Sequence, residues 1–185
     1  MSLATFLATL ARVLRDADIP SMLTGSLAAA FYGTPRATQD VDVVIDPDPE
    51  RLLQLTDNLR AAGLYVDAEA AAEAFRTGGQ FNAIDPESGW KADLIFRKRR
   101  DFSQVEFQRR QPTQLLGVEI SLTTLEDLIV AKLEWSERGD SELQRRDIAE
   151  LMRIAGDSLD YAYLNKWIEQ LGLQPAWARI QDSIP

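Results

Sequence analysis

Two carboxylates, Asp40 and Asp42, sit two residues apart at the head of an apolar run that continues through Val43, Val44 and Ile45. In a β-strand residues i and i+2 share a face, so both acids point one way while Val41 and Val43 point into a core. Carboxylates held a few Å apart repel and shift each other's pKa unless a cation lies between them. Hard oxygen ligands of this kind suit Mg²⁺, which takes one or two carboxylates together with substrate phosphates. Upstream, Gly25-Ser26 opens a short helix of small residues, whose first backbone N–H groups can meet an anion. Ser26 is then both a helix cap and a phosphate ligand. An anion cradle followed by a divalent-cation clamp is the apparatus for handling a nucleoside triphosphate.

The elements that must position these groups are readable from periodicity and punctuation. Residues 2–17 form an amphipathic helix with Leu3, Phe6, Leu7, Leu10, Val13 and Leu14 on one face, rather than a secretion signal. A short strand covers Ser21–Thr24, a helix Ser26–Tyr32, and the acidic strand Asp40–Ile45. Asp48 and Pro49 start a helix that carries Leu52, Leu55 and Leu59 and stops at Gly63. A short extended piece at 64–66 and a helix at 68–76 follow. Two strands, Phe81–Ile84 and Trp90–Phe96, flank the turn Asp85–Gly89. Weaker patterns suggest strands at Gln104–Gln108 and Leu115–Ile120. Beyond residue 122 the chain reads helical, opened by a capping box at Thr123 and Glu126. Helices at Glu142–Arg153 and Tyr161–Leu171 follow, with a last short one at Pro175–Ile180. The expectation is an α/β (α+β) mixed sheet with flanking helices, residues 1–121, and a C-terminal helical subdomain, residues 122–185.

Composition limits the chemistry. The chain has 185 residues, 45% hydrophobic and 26% charged, enough for one good core. It has neither Cys nor His. That removes disulfides, thiolate zinc sites, Ser-His and Cys-His triads and histidine acid–base work. Carboxylate, Lys, Arg and hydroxyl chemistry remains, which suffices for metal-assisted phosphoryl transfer. No apolar run approaches the roughly 18 residues of a membrane helix, so no membrane partner is expected, and the absence of Cys makes a cytoplasmic location the default expectation. A net charge of −9 argues against a protein that coats itself with nucleic acid. The run Arg97-Lys98-Arg99-Arg100, with Arg109-Arg110, is the one basic concentration, and it offers RNA or another phosphorylated acceptor a landing place. The alternative is a solvated loop.

Thr24-Gly25-Ser26, a spacer, and Asp40-Val41-Asp42 together resemble the signature of the nucleotidyltransferase (polymerase-beta-like) superfamily. With Gly33, Arg36 and Thr38 added, the stretch is most similar to the abortive-infection type nucleotidyltransferase toxins and their bacterial relatives, which often carry two glycines where this chain has Thr24-Gly25. The resemblance implies a Mg²⁺-dependent enzyme that moves an NMP from an NTP to an acceptor hydroxyl. The acceptor would be a tRNA 3′ end or other RNA, a protein, or a small molecule such as an antibiotic. A toxin role implies an antitoxin protein as partner. A third carboxylate is also implied, as metal ligand or base. Asp93 is the best match, because an Asp inside an apolar strand is costly unless it is paired or metal-bound. Asp85 and Asp101 are rivals in turn-like surroundings. Asp40, Asp42 and Asp93 would thus be catalytic and hold the metal, and Gly25, Ser26, Arg36, Lys132 and Asp147 would bind the nucleotide. Two bland readings stand beside these, a surface salt bridge between Lys132 and Asp147 and a non-catalytic binding module on the same fold. The four tryptophans read as packing residues.

Overall fold

Strict alternation decides which way the central strands face. In β2 (Asp40–Ile45) Val41, Val43 and Ile45 are buried, and in β5 (Lys91–Phe96) Ala92, Leu94 and Phe96 are. The remaining positions of both strands look out on the opposite side. A computed structural model describes residues 1–35, 37–139 and 141–181. Arg36, expected to bind nucleotide, lies outside the described residues.

Around these two strands the chain runs α1 (Leu3–Asp16), β1 (Ser21–Leu23), α2 (Gly25–Phe31), β2, α3 (Pro49–Ala61), β3 (Tyr65–Val66), α4 (Ala68–Thr77), β4 (Gln80–Ile84) and β5. It continues through α5 (Asp101–Arg109), β6 (Gln111–Leu115), β7 (Val118–Leu122), α6 (Leu125–Gly139), α7 (Glu142–Ala155), α8 (Tyr161–Gln170) and α9 (Gln174–Gln181). The sheet is mixed, in the order β3-β4-β5-β2-β1-β7-β6. β2 pairs parallel with β5 and antiparallel with β1, while β1 meets β7 in parallel. The inner face of the sheet belongs to a hydrophobic cluster with Phe6, Leu10, Leu55 and Leu59 of α1 and α3. The same cluster continues through Leu128, Ile129, Leu133, Ile148, Leu151, Leu164 and Trp167 of the C-terminal helices. The α/β mixed sheet with a helical C-terminal third is therefore as expected. Among the described residues no helix is long and apolar enough to cross a membrane.

Four local expectations need correction. Gln104–Gln108 lies within helix α5, not a strand. Its buried positions are Phe102, Ser103, Glu106 and Phe107, a helical face in which two of four members are polar, so the apolar period is broken. Leu115–Ile120 is no single strand either, because Leu116 and Gly117 both take positive φ (52° and 78°) and turn a tight hairpin between β6 and β7. The cap of α6 is one residue later than predicted, with Thr124 paired to Asp127 rather than Thr123 to Glu126. Trp135 is not a core residue; it is 53% exposed, whereas Trp167 and Trp177 are buried.

Charges also tie the helices together. Asp127 is fully buried on α6 and accepts hydrogen bonds from Arg109 Nε of α5 at 3.0 Å and from the Tyr163 hydroxyl of α8. The Arg109 guanidinium lies 3.9 Å from the Tyr163 ring centre, a close cation–π contact. Glu106 points into the same region. Burial first, then the neighbouring Asp127 and Glu134 charges, push its pKa up to about 8 against the partial relief of Arg100 and Lys98.

A folded-state pKa above the unfolded one means that Glu106 costs stability as pH rises from about 4.5 to about 8. Glu106→Gln should therefore melt higher than wild type at pH 8.5, by on the order of 5 °C, and equally at pH 4. A pH series of thermal melts checks this.

Candidate active site

Register brings the acids together. Asp42 lies directly opposite Asp93 across the β2/β5 pair, and Asp40 opposite Lys91. In parallel neighbours, opposed residues share a face, so Asp40, Asp42, Lys91 and Asp93 stand on the solvent side of the sheet, away from the valines. The site forms where β2 and β5 begin. Thr38 braces the entry to β2, since its hydroxyl accepts from the Asp40 N–H at 3.2 Å.

Asp42 is the most constrained of these acids. Its carboxylate rests on the start of α2 and accepts the Ser26 backbone N–H. A Cβ at Gly25 would come within 1.9 Å of Asp42 Oδ2, and Gly25 has φ +67°, a conformation that L side chains rarely adopt. Glycine is therefore required here twice over. Burial, then the facing Asp93 charge, raises the Asp42 pKa; Asp40 adds to this, while the Ser26 N–H and the Lys132 charge oppose it. Ser26 is not the helix cap that was expected. Thr24 holds the N-cap position, and Ser26 sits buried in the first turn.

Lys132 approaches from α6. It is buried, and its ammonium donates to Asp147 Oδ2 at 2.7 Å and to Gln144 Oε1 at 2.9 Å, both on α7. The exposed surface bridge considered from sequence is thus a buried one, close enough to Asp42 to stabilise its charged form.

Two residues of this constellation escaped the sequence reading. Gln144 had no signal. Lys91 did: it is two residues before Asp93 on the same strand face. Its ammonium lies 3.3 Å from Asp40 Oδ1 and 3.2 Å from Asp93 Oδ1. The rival acids are elsewhere. Asp85 is spent on the Ser88 turn and the N-terminal amine, and Asp101 opens α5.

The donor set fits a hard divalent cation. Three carboxylates share one face, and Asp93 Oδ1 is buried without an aligned hydrogen bond. Among the described residues no group of three acids is placed to hold a metal ion. Lys91 bridges Asp40 and Asp93 instead.

The basic run lies elsewhere. It follows the far end of β5, four residues or roughly 13 Å beyond Asp93. Arg97 donates to Asp46 at 2.9 Å, Arg100 forms a two-pronged pair with Glu134, and Arg109 is held by Asp127. Arg99 is exposed.

Gly25→Ala should lower unfolding free energy by roughly 2–4 kcal/mol, from the positive φ and the displaced Asp42. Made in an Asp42→Ala background, the same change should cost clearly less. A double-mutant cycle by urea denaturation reads the difference.

No protein-family model matches the chain, and no curated protein matches it by sequence. Solved structures do match. The antibiotic-resistance factor ANT(2'')-Ia, in complex with adenylyl-2''-tobramycin, aligns with TM-score 0.60 at 14% identity over 97% of this chain and 99% of its own. An antigenic nucleotidyltransferase-like protein from Paracoccidioides brasiliensis aligns with TM-score 0.56 at 21% identity over 96% and 91%. The lincosamide antibiotic adenylyltransferase LnuA, lincomycin-bound, gives TM-score 0.53 at 12% identity over 83% and 98%. At these identities the likeness is one of fold, and the fold this chain carries is that of the nucleotidyltransferases.

Proposed function

We propose that the chain is a Mg²⁺-dependent nucleotidyltransferase that moves an NMP from an NTP to an acceptor hydroxyl. The observation that carries the proposal is Asp42 seated on the Gly25-Ser26 backbone and facing Asp93 in register. Asp40, Asp42 and Asp93 are the residues to hold the metal, which when bound neutralises charge on the triphosphate and on the leaving pyrophosphate. Lys132, fixed by Asp147 and Gln144, presents its charge to the β- and γ-phosphates beside Gly25 and Ser26. By the sequence motif alone, Arg36 is a further candidate for binding the nucleotide. Asp93 takes the proton of the acceptor hydroxyl as its oxygen bonds to the α-phosphorus and the bond to pyrophosphate breaks. Positioning and charge neutralisation carry the rate.

For the acceptor we propose a small, hydroxyl-bearing and preferably cationic molecule. The chain carries −9 overall, and Arg97, Arg100 and Arg109 are already paired with carboxylates. ANT(2'')-Ia and LnuA, which share the fold, are an antibiotic-resistance factor and an antibiotic adenylyltransferase. A second reading keeps an RNA 3′ end as acceptor in a toxin with an antitoxin partner. It rests on the motif resemblance and on the exposed Arg99 in the basic run.

Asp42→Asn separates catalysis from folding. A raised carboxylate pKa means that the ionised group costs stability once pH climbs past its unfolded value near 3.8 and on through the folded pKa. At pH 7 without metal, Asp42→Asn should therefore melt higher than wild type. It should also lose Mg²⁺-dependent NTP binding in calorimetry, and transfer should fall by on the order of 10³-fold. Intact transfer in this variant would sink the carboxylate mechanism. The toxin reading predicts that expression slows growth and that Asp40→Ala relieves it; normal growth at high levels of active enzyme counts against it.

A further inference from the structure

The Lys91 ammonium occupies the space that a metal ion would need. It is 3.3 Å from Asp40 Oδ1 and 3.2 Å from Asp93 Oδ1, and it reaches both from the same face of the sheet. Mg²⁺ would bind such oxygens at about 2.0–2.1 Å. An ammonium and a divalent cation on the same two oxygens exclude each other, by contact and by repulsion of like charge. The lysine is also able to leave. Its side chain is 31% exposed and Asp40's is 50% exposed, so the pair opens towards solvent, while Asp93 at 14% is held in place. Asp93 Oδ1 is buried and, beyond the Lys91 ion pair, has no hydrogen-bond partner, so its lone pairs would be open to a metal once the lysine swings away.

We propose that Lys91 is a built-in counter-ion of the metal site, bridging Asp40 and Asp93 until metal and triphosphate arrive together. The inference rests on the nucleotidyltransferase reading and adds order to it. Metal alone must displace the lysine into water and gains little. Metal with a triphosphate offers the displaced ammonium a new anion, so the two ligands bind with positive coupling through one side chain. The same bridge also offsets repulsion within the site, because without it three carboxylates share one face beside a buried Lys132 that Asp147 already holds.

The test titrates Mn²⁺ by electron paramagnetic resonance, with and without inorganic tripolyphosphate, on wild type, Lys91→Met, Lys91→Gln and Lys91→Arg. Without tripolyphosphate, the Met and Gln variants should bind Mn²⁺ roughly tenfold tighter than wild type, the effect of removing one competing charge at close range. Lys91→Arg, which keeps the charge, should stay near wild type. With tripolyphosphate the advantage of the neutral variants should vanish. In EDTA they should melt lower than wild type and recover with Mn²⁺. Equal or weaker Mn²⁺ binding by folded Lys91→Met and Lys91→Gln overturns the role of Lys91 and leaves the enzyme reading standing. No Mn²⁺ binding by any of the proteins, with or without tripolyphosphate, overturns both.

Discussion

The structure turns on one unfavourable contact, the placing of Asp42 directly opposite Asp93 on adjacent parallel strands. Two carboxylates so placed repel, and burial of Asp42 makes the repulsion worse. Most of what surrounds them answers that charge. A helix begins under Asp42 so that the Ser26 N–H can reach it, and Gly25 is there because any side chain would strike the carboxylate. Lys91 reaches Asp93 from the same strand, and Lys132 lends its charge from α6. These groups come from α2, β2, β5 and α6, and one electrostatic problem connects them. A protein selected for stability alone would have placed an apolar pair at these positions.

The C-terminal helices matter to the sheet through Lys132. A buried ammonium is expensive unless it is paired and hydrogen-bonded. Asp147 and Gln144 satisfy it from one face of α7, a single turn apart. The apolar packing of Leu128, Ile129, Leu133, Ile148 and Leu151 holds α6 and α7 in the relation this needs. A buried pair of this kind is weak evidence for net stability, but it fixes position well. Position is what the proposed phosphate-binding role of Lys132 would require.

What could be read from the sequence was local and periodic. Asp40, Asp42 and Asp93 stood out because each interrupts an apolar strand, and period-two alternation put each on the outer face without any knowledge of the partner strand. Their meeting was implied by the family resemblance but not by periodicity, because register between β2 and β5 depends on contacts across fifty residues. The same limit hid the partners of the basic run: Asp46 and Glu134 are remote in sequence from Arg97 and Arg100. Helix α5 was missed for a different reason. Glu106 and Ser103 occupy its buried face, and a polar residue inside breaks the pattern by which helices are recognised. Lys91 had a readable position, but a strand lysine at a solvent-side position looks ordinary until its neighbours are known.

Paired charges also bear on what can approach the site. The sequence shows a basic run in an acidic chain, which suggests a landing strip for a polyanion. The fold spends much of that charge internally, on Asp46, Glu134 and Asp127, and sets the run at the far end of β5. Screening at physiological salt limits each charge's reach to about 8 Å. A run roughly 13 Å beyond Asp93 is therefore largely screened from the acids, and only an acceptor long enough to span that distance would touch both. Among the described residues near the acids, the local balance is three carboxylates against Lys91 and a Lys132 already joined to Asp147. On the proposed function, such a surface would repel a naked polyphosphate and would favour one that brings a divalent cation. By the same rule of opposite charges, the acceptor proposed above would be small and positive, because a second anion at these acids would meet the repulsion that the metal relieves for the first.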